Sequence, residues 1–289
     1  MKNCISCGRE SLTLYSETSY LSLPIFCCNN CHLFVTGSTE EEVKEYSEKL
    51  YDKEYWDQRG SVIAIESNFS DPESRSKQAQ LKSQLTFCQS HLDRKSSILE
   101  IGSGSGQTLI WFESMGFIVR GIEPDIRNVE LINTKLKNGK CLSGYAEDLQ
   151  IDGKFDAIWL SHVFEHLVRP DLLLEKISAY LNENGFIFIE VPDCQNASVL
   201  RSSIYDNPST YHFSRQNLVS ISRRIRYRVE KCESLRRLKL IEKIIDRNTK
   251  RIAKLLRSNS EGFYTYSPYI TTHKNGEGEI IRLILSKGT

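Results

Sequence analysis

Short apolar segments alternate with helical segments between residues 95 and 193, and this alternation limits the possible folds more than any other feature of the chain. The apolar segments are SILEI, FIVRGIE, FDAIWL and FIFIEV. Continuously apolar strands that alternate with helices are typical of a parallel sheet covered on both faces. We therefore predict an α/β fold built on a Rossmann-like, doubly wound sheet.

The C-terminal residues predict two further strands. Asn275 and Gly276 separate two runs of strand-forming residues, YTYSPYITT and EIIRLILSK. Asn-Gly is a preferred turn in two-residue hairpins. We predict that the two strands form an antiparallel hairpin at the edge of the sheet.

The composition is that of a globular chain. Of 289 residues, 39% are hydrophobic and 26% are charged. No apolar run approaches the roughly 20 residues that a membrane-spanning helix needs. The first residues, MKNCISCGRE, contain neither an apolar stretch nor a small-residue cleavage site, so no secretory signal is predicted. We expect a cytoplasmic location and no membrane span.

Five of the nine cysteines lie within the first 31 residues. Because thiols stay reduced in the cytosol, this cluster favours metal binding over disulfides. Cys4 and Cys7 form one C-x2-C pair and Cys28 and Cys31 form another, and two such pairs supply the four thiolates of a structural zinc site. Cys27 is a fifth thiol, with x3 rather than x2 spacing to Cys31. A reduced cysteine turn without metal is the alternative.

The sequence of residues 38–94 predicts two helices, one on either side of a polar segment. The sequence STEEEVKEYSEKLYDKEYWDQR begins with a Ser/Thr cap followed by acidic residues, as helix N-termini do. A second helix is predicted over residues 77–91. Aromatic residues recur at about helical spacing in the first segment, at Tyr46, Tyr51, Tyr55 and Trp56. Such a stripe favours packing against the core, and a lid over a bound small molecule is the alternative.

Residues 222–258 hold 14 Lys and Arg against four acidic residues, a local net charge of +10 in a chain whose net charge is +1. Apolar residues recur there every three or four positions, from Ile225 to Leu255, which predicts a basic amphipathic helix or helical pair. Packing of this helix on its own domain, or on a second copy in a homodimer, is one interpretation. The other is phosphate binding by its first arginines, Arg223, Arg224, Arg226 and Arg228.

Three glycines follow the first apolar strand, at Gly102, Gly104 and Gly106. Such a loop lets the backbone approach a ligand at the carboxyl end of the sheet. Glu100 precedes the loop, where a carboxylate can meet an ammonium group of a ligand. Glu123 ends the next strand, where an acid can accept the hydroxyl hydrogens of a ribose. The G-x-G-x-G spacing differs from the G-x-G-x-x-G of dinucleotide sites.

The order of the motifs resembles that of a known family. ILEIGSGSG, GIEPD, AEDL, FDAIWLSHVFEHL and GFIFIEVP follow one another as in class I S-adenosylmethionine (SAM) dependent methyltransferases, over about residues 95–193. The N-terminal C-x2-C pairs, the Tyr/Trp segment and YHFS at 211–214 resemble the subgroup with an N-terminal zinc-binding module, common in bacterial sugar and polysaccharide biosynthesis. The resemblance implies an enzyme that uses SAM and carries a structural zinc ion.

The resemblance also implies which residues bind the cofactor. The methionine part of SAM would be held by Glu100 and the glycine loop, the ribose by Glu123, and the adenine by Pro124, Ala146 and Glu147. Ser161 and His162 would line the site. Tyr145 stands where many relatives have an acidic residue.

His166 is the leading candidate for a general base, because related sugar methyltransferases carry a functional Glu-His pair at this place. Glu165 would orient it. A histidine can take the proton of an alcohol during methyl transfer, and helix capping or packing is the alternative role. His162, Glu165 and His166 also form H-x-x-E-H, whose ends would share one helical face. His212 could complete a divalent metal site there, as in metal-dependent methyltransferases.

The predicted acceptor is a small, sugar-containing molecule such as a nucleotide sugar, polysaccharide or glycolipid, and it is expected to be anionic or sugar-linked. Methylation is predicted on oxygen or carbon, with aliphatic nitrogen as the alternative. The chain lacks the [DN]PP[YF] motif of enzymes that methylate base amines. One rival function is an RNA methyltransferase whose zinc module and basic helix bind the phosphate backbone. Another is a SAM-fold scaffold without turnover.

Changes of pattern along the chain predict its divisions. These are a zinc-ribbon module over residues 1–37, a helical linker or lid over 38–94, a SAM-binding core over 95–221, a basic helical insertion over 222–258 and C-terminal strands over 259–289.

Overall fold

The computed structural model describes residues 3–51, 57, 72–93, 95–238, 268–272 and 274–288, and gives only the backbone for 72–76. The strands are β1 (Leu12–Ser16), β2 (Ile25–Cys28), β3 (Phe34–Thr36), β4 (Ser97–Ile101), β5 (Ile118–Glu123), β6 (Lys140–Ser143), β7 (Phe155–Ser161), β8 (Leu181–Pro192), β9 (Tyr211–His212), β10 (Tyr227–Arg237), β11 (Tyr269–Thr271) and β12 (Ile280–Lys287). The helices are α1 (Glu40–Lys49), α2 (Pro72–Cys88), α3 (Gln107–Ser114), α4 (Ile126–Lys135), α5 (Pro170–Ile177), α6 (Ala197–Tyr205) and α7 (Arg215–Arg224).

The larger sheet has the order β11-β10-β12-β8-β7-β4-β5-β6. Strands β8, β7, β4, β5 and β6 are parallel, and β12, β10 and β11 continue the sheet with antiparallel pairs. The chain runs outward from β4 through β5 to β6, then returns to place β7 on the other side of β4. Open α/β sheets bind ligands at such a reversal, outside the carboxyl ends of the strands. The predicted mixed α/β fold with an antiparallel edge is confirmed.

The central strands are apolar on both faces because helices cover both faces of the sheet. In β7, Trp159 is fully buried, its ring stacked on Phe188 of β8 with centroids 4.0 Å apart. Phe112 of α3 meets the same indole edge-on at 5.0 Å. Burying aromatic rings of this size contributes a large share of the stability of such a core. This packing fixes α3, and therefore the glycine loop before it, against the sheet.

The N-terminal residues form a second sheet of order β1-β2-β3-β9. Strand β9 comes from much later in the chain and pairs with β3, placing Phe34 opposite His212 and Val35 opposite Tyr211. The cysteine-rich segment is thus joined to the core by a shared sheet. The predicted boundary of this module at residue 37 stays a prediction.

The basic helix predicted over residues 222–258 is wrong for residues 227–237, although residues 222–224 are the end of helix α7. Residues 227–237 are strand β10, which lies between β11 and β12. A β-bulge at Glu230 explains the misleading spacing, because the extra residue places Val229 and Cys232, three positions apart, on the same face of the strand. The remainder of that prediction, residues 239–258, lies outside the described residues.

The predicted C-terminal hairpin is also wrong in its pairing. Asn275 and Gly276 do lie in a turn, with Gly276 at a φ of 78°, but β11 and β12 are not neighbours. Strand β10 separates them and pairs with both. Local turn residues cannot reveal a strand that enters from an earlier part of the sequence.

Helix α1 begins where the sequence predicts. The hydroxyl of Thr39 accepts a hydrogen bond from the backbone N–H of Glu42, as an N-cap does. The predicted second helix appears as α2, five residues earlier at its start than expected. Within the described part of the chain, no helix is long and apolar enough to cross a bilayer.

Candidate active site

A cavity of about 350 Å³ opens at the carboxyl ends of β4, β5 and β7, at the reversal of strand order. It brings together most of the residues that the sequence predicts for a cofactor site. These are Glu100, Gly102, Gly104, Glu123, Pro124, Ala146, Glu147, Ser161, His162 and His166. Gly106 is at the end of the same loop, as the N-cap of α3.

The glycine loop has a backbone that other residues adopt with difficulty. Gly102 has a φ of 73°, and a Cβ atom there would lie 2.4 Å from Cγ2 of Val163. Gly106 has a φ of 74°, and its Cβ would lie 2.3 Å from Cγ1 of Ile132. Glycine avoids both the left-handed strain and the collisions. The loop can therefore turn tightly against the cavity.

Glu123 is held in place by this loop. Its Oε2 accepts a hydrogen bond of 2.8 Å from the backbone N–H of Gly104, and its Oε1 accepts one of 3.3 Å from that of Asp125. The carboxylate is 2% exposed. A carboxylate fixed at a strand end suits recognition of a hydroxyl pair.

Glu100 carries a buried carboxyl group whose Oε2 has no hydrogen-bond partner among the described residues. Burial raises the pKa of Glu100 to about 8, although the charge of Lys77 acts in the opposite direction. Ser103, also in the cavity wall, has a buried hydroxyl without a partner in the same part of the structure. Unsatisfied buried polar atoms are costly, so both atoms fit an occupant that carries hydrogen-bond donors.

The other predicted cofactor residues make different contacts around the cavity. Ala146 is buried, and Glu147 Oε1 accepts a hydrogen bond of 3.2 Å from the backbone N–H of Val168. The hydroxyl of Ser161 accepts a hydrogen bond of 3.0 Å from the side-chain amide of Gln84. Glu147 therefore also helps to position the segment before α5.

His166 has a defined tautomer. Its Nδ1 lies 2.8 Å from the carbonyl oxygen of Pro208, which can only accept, so Nδ1 carries a hydrogen. When the ring is neutral, Nε2 holds the lone pair. Its distance to Glu165 Oε1 is 3.7 Å, too long for a hydrogen bond. Pro208, rather than the predicted Glu165, thus orients this imidazole.

His162 lies between two carboxylates. Its Nδ1 is 3.4 Å from Glu165 Oε1 and its Nε2 is 3.3 Å from Glu190 Oε1. Desolvation lowers the pKa of His162, but the two carboxylates outweigh it and raise the pKa to about 9. This ring is therefore a cation at neutral pH and cannot act as a base there.

The helical face predicted for H-x-x-E-H is wrong. His162 has a φ of 56°, in the left-handed region, and only Phe164–His166 form a turn of 3-10 helix. His212 does not join the cavity. It is 1% exposed, with Nδ1 bonded to Ser203 Oγ at 2.8 Å and Nε2 to Thr36 Oγ1 at 3.1 Å. Desolvation lowers the pKa of His212 to about 3, so it is neutral.

A buried network behind His162 was not predicted. Glu190 of β8 forms an ion pair of 2.6 Å with Arg282 of β12, its direct neighbour in register. Gln80 and Gln84 of α2 each donate a hydrogen bond of 2.8 Å to the other oxygen of Glu190. Burial alone would raise the pKa of Glu190, but Arg282 and His162 hold it well below its usual range. A glutamate within the apolar segment FIFIEV was the one sequence signal for it.

Ser47 of α1, Tyr51, which follows α1, and Lys77 of α2 also reach the cavity, and Ser47 and Lys77 were not predicted. The Tyr51 ring lies 5.9 Å from that of His166. Tyr51 belongs to the predicted aromatic stripe, whereas Lys77 has no distinguishing signal in the sequence. Two other members of that stripe, Tyr55 and Trp56, lie outside the described residues.

The predicted phosphate-binding arginines do not line this cavity. Arg224 contacts Asp171 at 3.2 Å and donates a hydrogen bond of 2.7 Å to the carbonyl oxygen of Ile5. Arg228 pairs with Glu230. The positive charge of these two residues is thus used within the fold.

The four predicted metal ligands converge. The Sγ atoms of Cys4, Cys7, Cys28 and Cys31 all lie within 4.8 Å of one another. The separations are 3.5 Å for Cys4 to Cys31 and 3.6 Å for Cys7 to Cys28, far above the roughly 2 Å of a disulfide. They are close to the about 3.8 Å expected around a tetrahedral ion with 2.3 Å bonds. Cys27 is not part of the group.

Both knuckles turn through a left-handed residue directly after their second cysteine. Gly8 follows Cys7 with a φ of 73°, and His32 follows Cys31 with a φ of 54°. A hydrogen bond from Cys4 lowers the pKa of the Cys31 thiol to about 5, so the cluster accommodates a thiolate. In the described residues, this is the one group of three or more such side chains found close enough to share an ion.

The family model of the methyltransferase domain matches residues 74–227, more than half of the chain. The chain belongs to this family. An uncharacterized methyltransferase of Alkaliphilus oremlandii is 31% identical over 107 residues, which are 36% of this chain and 50% of that protein. The (S)-coclaurine N-methyltransferase of Papaver somniferum is 27% identical over 103 residues, 32% of this chain and 29% of that protein. The match thus spans half or less of either relative.

Solved methyltransferase structures share the fold. The plantazolicin methyltransferase BpumL, solved in complex with SAH, has a TM-score of 0.55 and 16% identity, with 86% of this chain and 99% of that chain covered. A SAM-dependent methyltransferase from Archaeoglobus fulgidus has a TM-score of 0.51 and 18% identity, with 72% and 93% covered. Residues 74–227, which the family model matches, include the whole cavity described above apart from Ser47 and Tyr51.

Proposed function

We propose that this chain transfers the methyl group of SAM to a small-molecule acceptor, with His166 as the general base. The observation that carries the proposal is the convergence of Glu100, the glycine loop, Glu123 and His166 on one cavity at the reversal of strand order. Membership of the methyltransferase-domain family supports it.

The cavity fits SAM through atoms that need partners. The buried Oε2 of Glu100 and hydroxyl of Ser103 are placed to accept hydrogen bonds from the amino group of the methionine part. Glu123 would accept from the ribose hydroxyls, and Pro124, Ala146 and Glu147 would border the adenine. SAM supplies an electrophilic methyl group on a sulfonium. The protein's task is then positioning and proton removal.

His166 is the residue best placed to remove a proton. Its Nδ1–H is bonded to Pro208, which leaves Nε2 as the acceptor in the neutral ring. His166 also lies in the cavity wall with Ser161 and His162. His162 is paired with two carboxylates and is protonated, and His212 lies outside the cavity. His166 is therefore the base of choice among the three histidines.

The acceptor atom is an oxygen, carbon or nitrogen that must lose a proton on methylation, since that is what a base at this position serves. A sugar-containing acceptor is proposed from the family resemblance. An amine acceptor is proposed from the name of one curated relative, an N-methyltransferase. The RNA alternative has less support, because residues 227–237 of the basic helix on which it relies are strand β10.

Calorimetric titration with SAM and SAH tests the cofactor. We expect both to bind, and Glu123→Gln to weaken binding about 10- to 100-fold, since hydrogen bonds to a charged group are lost. Glu130→Gln, on the exposed side of α4, is the matched control and should bind as the wild type does. Failure of the wild-type chain to bind either ligand would refute the proposal.

Replacement of His166 tests the base. With any acceptor that the wild-type chain methylates, His166→Ala should lower kcat about 10²- to 10⁴-fold and leave the affinity for SAH unchanged. SAH formation measures the first quantity and calorimetry the second. Near-normal kcat in this variant would remove His166 from the mechanism.

We also propose that the four-cysteine cluster holds a structural zinc ion, which would cross-link the two knuckles. A catalytic metal is a separate matter. Its test is the activity of protein stripped of loosely bound metal, and full activity would exclude a catalytic ion.

A further inference from the structure

A second cavity, of about 400 Å³, lies beside the first and shares His162 and His166 with it. The rest of its wall includes Glu165 and four serines of α6 and the segment that follows. We propose that this cavity binds the methyl acceptor, and that the part of the acceptor held there is neutral or cationic and donates a hydrogen bond to Glu165. The inference rests on the proposed function.

The second cavity adjoins the first at His162 and His166, which is where an acceptor would have to lie to reach a methyl group held in the first. The first cavity holds the residues proposed to bind SAM, and the two imidazoles stand between the cavities. A nucleophile must approach the methyl group in line with the bond that breaks. An acceptor in the second cavity approaches the first cavity past His166, whose Nε2 is free to accept its proton when the ring is neutral.

The charges of the described residues around the second cavity disfavour an anion. Among the lining residues that the structure describes, none is a lysine or arginine. The cationic His162 is already neutralised by Glu165 and Glu190, at 3.4 and 3.3 Å. A phosphate or carboxylate bound there would lie against the carboxylate of Glu165, and His162, which already faces that carboxylate and Glu190, is the one cation described there that could offset the repulsion.

Glu165 indicates what the acceptor must offer instead. The residue is 2% exposed, and its Oε2 has no hydrogen-bond partner among the described residues. A buried carboxylate oxygen is costly unless it receives a hydrogen bond. A hydroxyl or amino group of the acceptor supplies this bond. The hydroxyls of Ser198 and Ser202 and the amide of Asn207 provide further polar contacts.

Three small probes of similar size and different charge test the inference: ethanolamine, ethylene glycol and glycolate. Each is added to the SAH complex, and binding is followed by saturation-transfer NMR. We expect ethanolamine and ethylene glycol to bind and glycolate not to bind. Ser202→Trp, which fills the cavity from α6, should abolish both signals, whereas Thr134→Trp, an exposed hydroxyl residue of α4 that lines neither cavity, should leave them unchanged.

Glu165→Gln tests the charge directly. Loss of one charge-assisted hydrogen bond should weaken ethanolamine about tenfold and should affect ethylene glycol less. Binding of glycolate that Ser202→Trp abolishes would overturn the inference, as would ethanolamine binding that both Trp variants retain. If SAH binds and none of the probes does, the second cavity is not the acceptor site. If SAH itself does not bind, the proposed function has failed first.

Discussion

Glu100 has a carboxyl group that is shielded from water, although its proposed role requires contact with a ligand. It is buried at the end of β4, and burial raises its pKa to about 8. An unfolded chain would lose this proton near the ordinary value of 4.5. The folded, ligand-free chain therefore holds the proton more tightly than the unfolded chain does.

This difference predicts the pH dependence of stability. Between about pH 4.5 and 8 the unfolded state gains by ionising Glu100 and the folded state does not, so the free energy of unfolding falls as pH rises. Glu100→Gln lacks this effect. Relative to the variant, the wild-type chain should lose on the order of a few kcal/mol from pH 5 to pH 9. Urea unfolding at several pH values, without ligand, measures it, and a difference that stays constant with pH would contradict the assignment.

At the scale of single residues, the sequence could predict which side chains come together where the chain itself supplies the geometry. Glu100, Glu123 and Ser161 end adjacent strands, and parallel strands bring their carboxyl ends to one edge. The partner of His166 could not be found in this way, because Pro208 contributes a backbone carbonyl and every residue has one. His212 has the right residue type, but it faces Ser203 and Thr36 in the core.

At the scale of elements, the buried ion pair between β8 and β12 is the interaction that we expect to be most sensitive to mutation. Arg282 and Glu190 face each other in register, both at most 1% exposed. Removing Arg282 takes away the closer of the two cations that face the buried Glu190, and breaking such a buried pair is strongly destabilising. We expect Arg282→Met to lower the free energy of unfolding by about 3–5 kcal/mol, and Glu190→Gln in the same chain to restore most of the loss. Urea unfolding measures both.

An exposed ion pair provides the control for this prediction. Lys274 and Glu277 are 3.4 Å apart, with side chains 81% and 46% exposed. Lys274→Met should change the free energy of unfolding by about 0.5 kcal/mol or less. An Arg282→Met variant that is no less stable than Lys274→Met would show that the buried pair contributes nothing.

The cysteine cluster and the active site are joined by two strands. The backbone N–H of Thr36 in β3 donates to the carbonyl of Thr210 at 2.8 Å, and the N–H of Thr210 donates to that of Glu165 at 2.9 Å. In α7, Asn217 donates from its amide to the carbonyl of Cys31 at 2.9 Å. Loss of the metal should therefore loosen backbone that carries the residues next to His166.

Cys31→Ser tests this connection. We expect about one zinc ion per chain in the wild type, loss of that zinc in the variant, and a fall in Tm of about 5 °C or more. Hydrogen exchange at Thr210 should become faster. Cys27→Ser, which removes the thiol outside the cluster, should change none of these, and unchanged exchange in Cys31→Ser would separate the cluster from the site.

For the molecule as a whole, the sequence was sufficient for four of the five parallel strands and insufficient for β6 and for the antiparallel half of the sheet. Strands β4, β5, β7 and β8 are continuous apolar runs, so their burial could be predicted from local pattern. Strand β10 is half-buried and interrupted by the bulge at Glu230, which imitated helical spacing. The pairing of β9 with β3 could not be predicted either, because it joins residues 176 positions apart, as Val35 and Tyr211 show.

The pairing of β10 with β11 has a consequence for how this protein tolerates change in length. Arg237 lies opposite Tyr269, and the N–H of Leu238 donates to the carbonyl of Pro268 at 2.8 Å, so the chain leaves the sheet and re-enters it at adjacent points. A short turn could bridge that gap. The fold should tolerate replacement of residues 239–267 with such a turn, because closing a shorter loop costs less entropy. We then expect the affinity for SAH to stay within about twofold.

Calorimetric titration of the shortened chain with SAH checks this prediction. A variant without β11 is the comparison, because deletion of that strand removes paired backbone and should lower Tm. Loss of SAH binding on shortening would mean that the excised residues contribute to the site. If binding persists, this edge of the sheet is an insertion point, where natural variation or engineering can add or remove a whole segment without altering the cavity at the opposite half of the molecule.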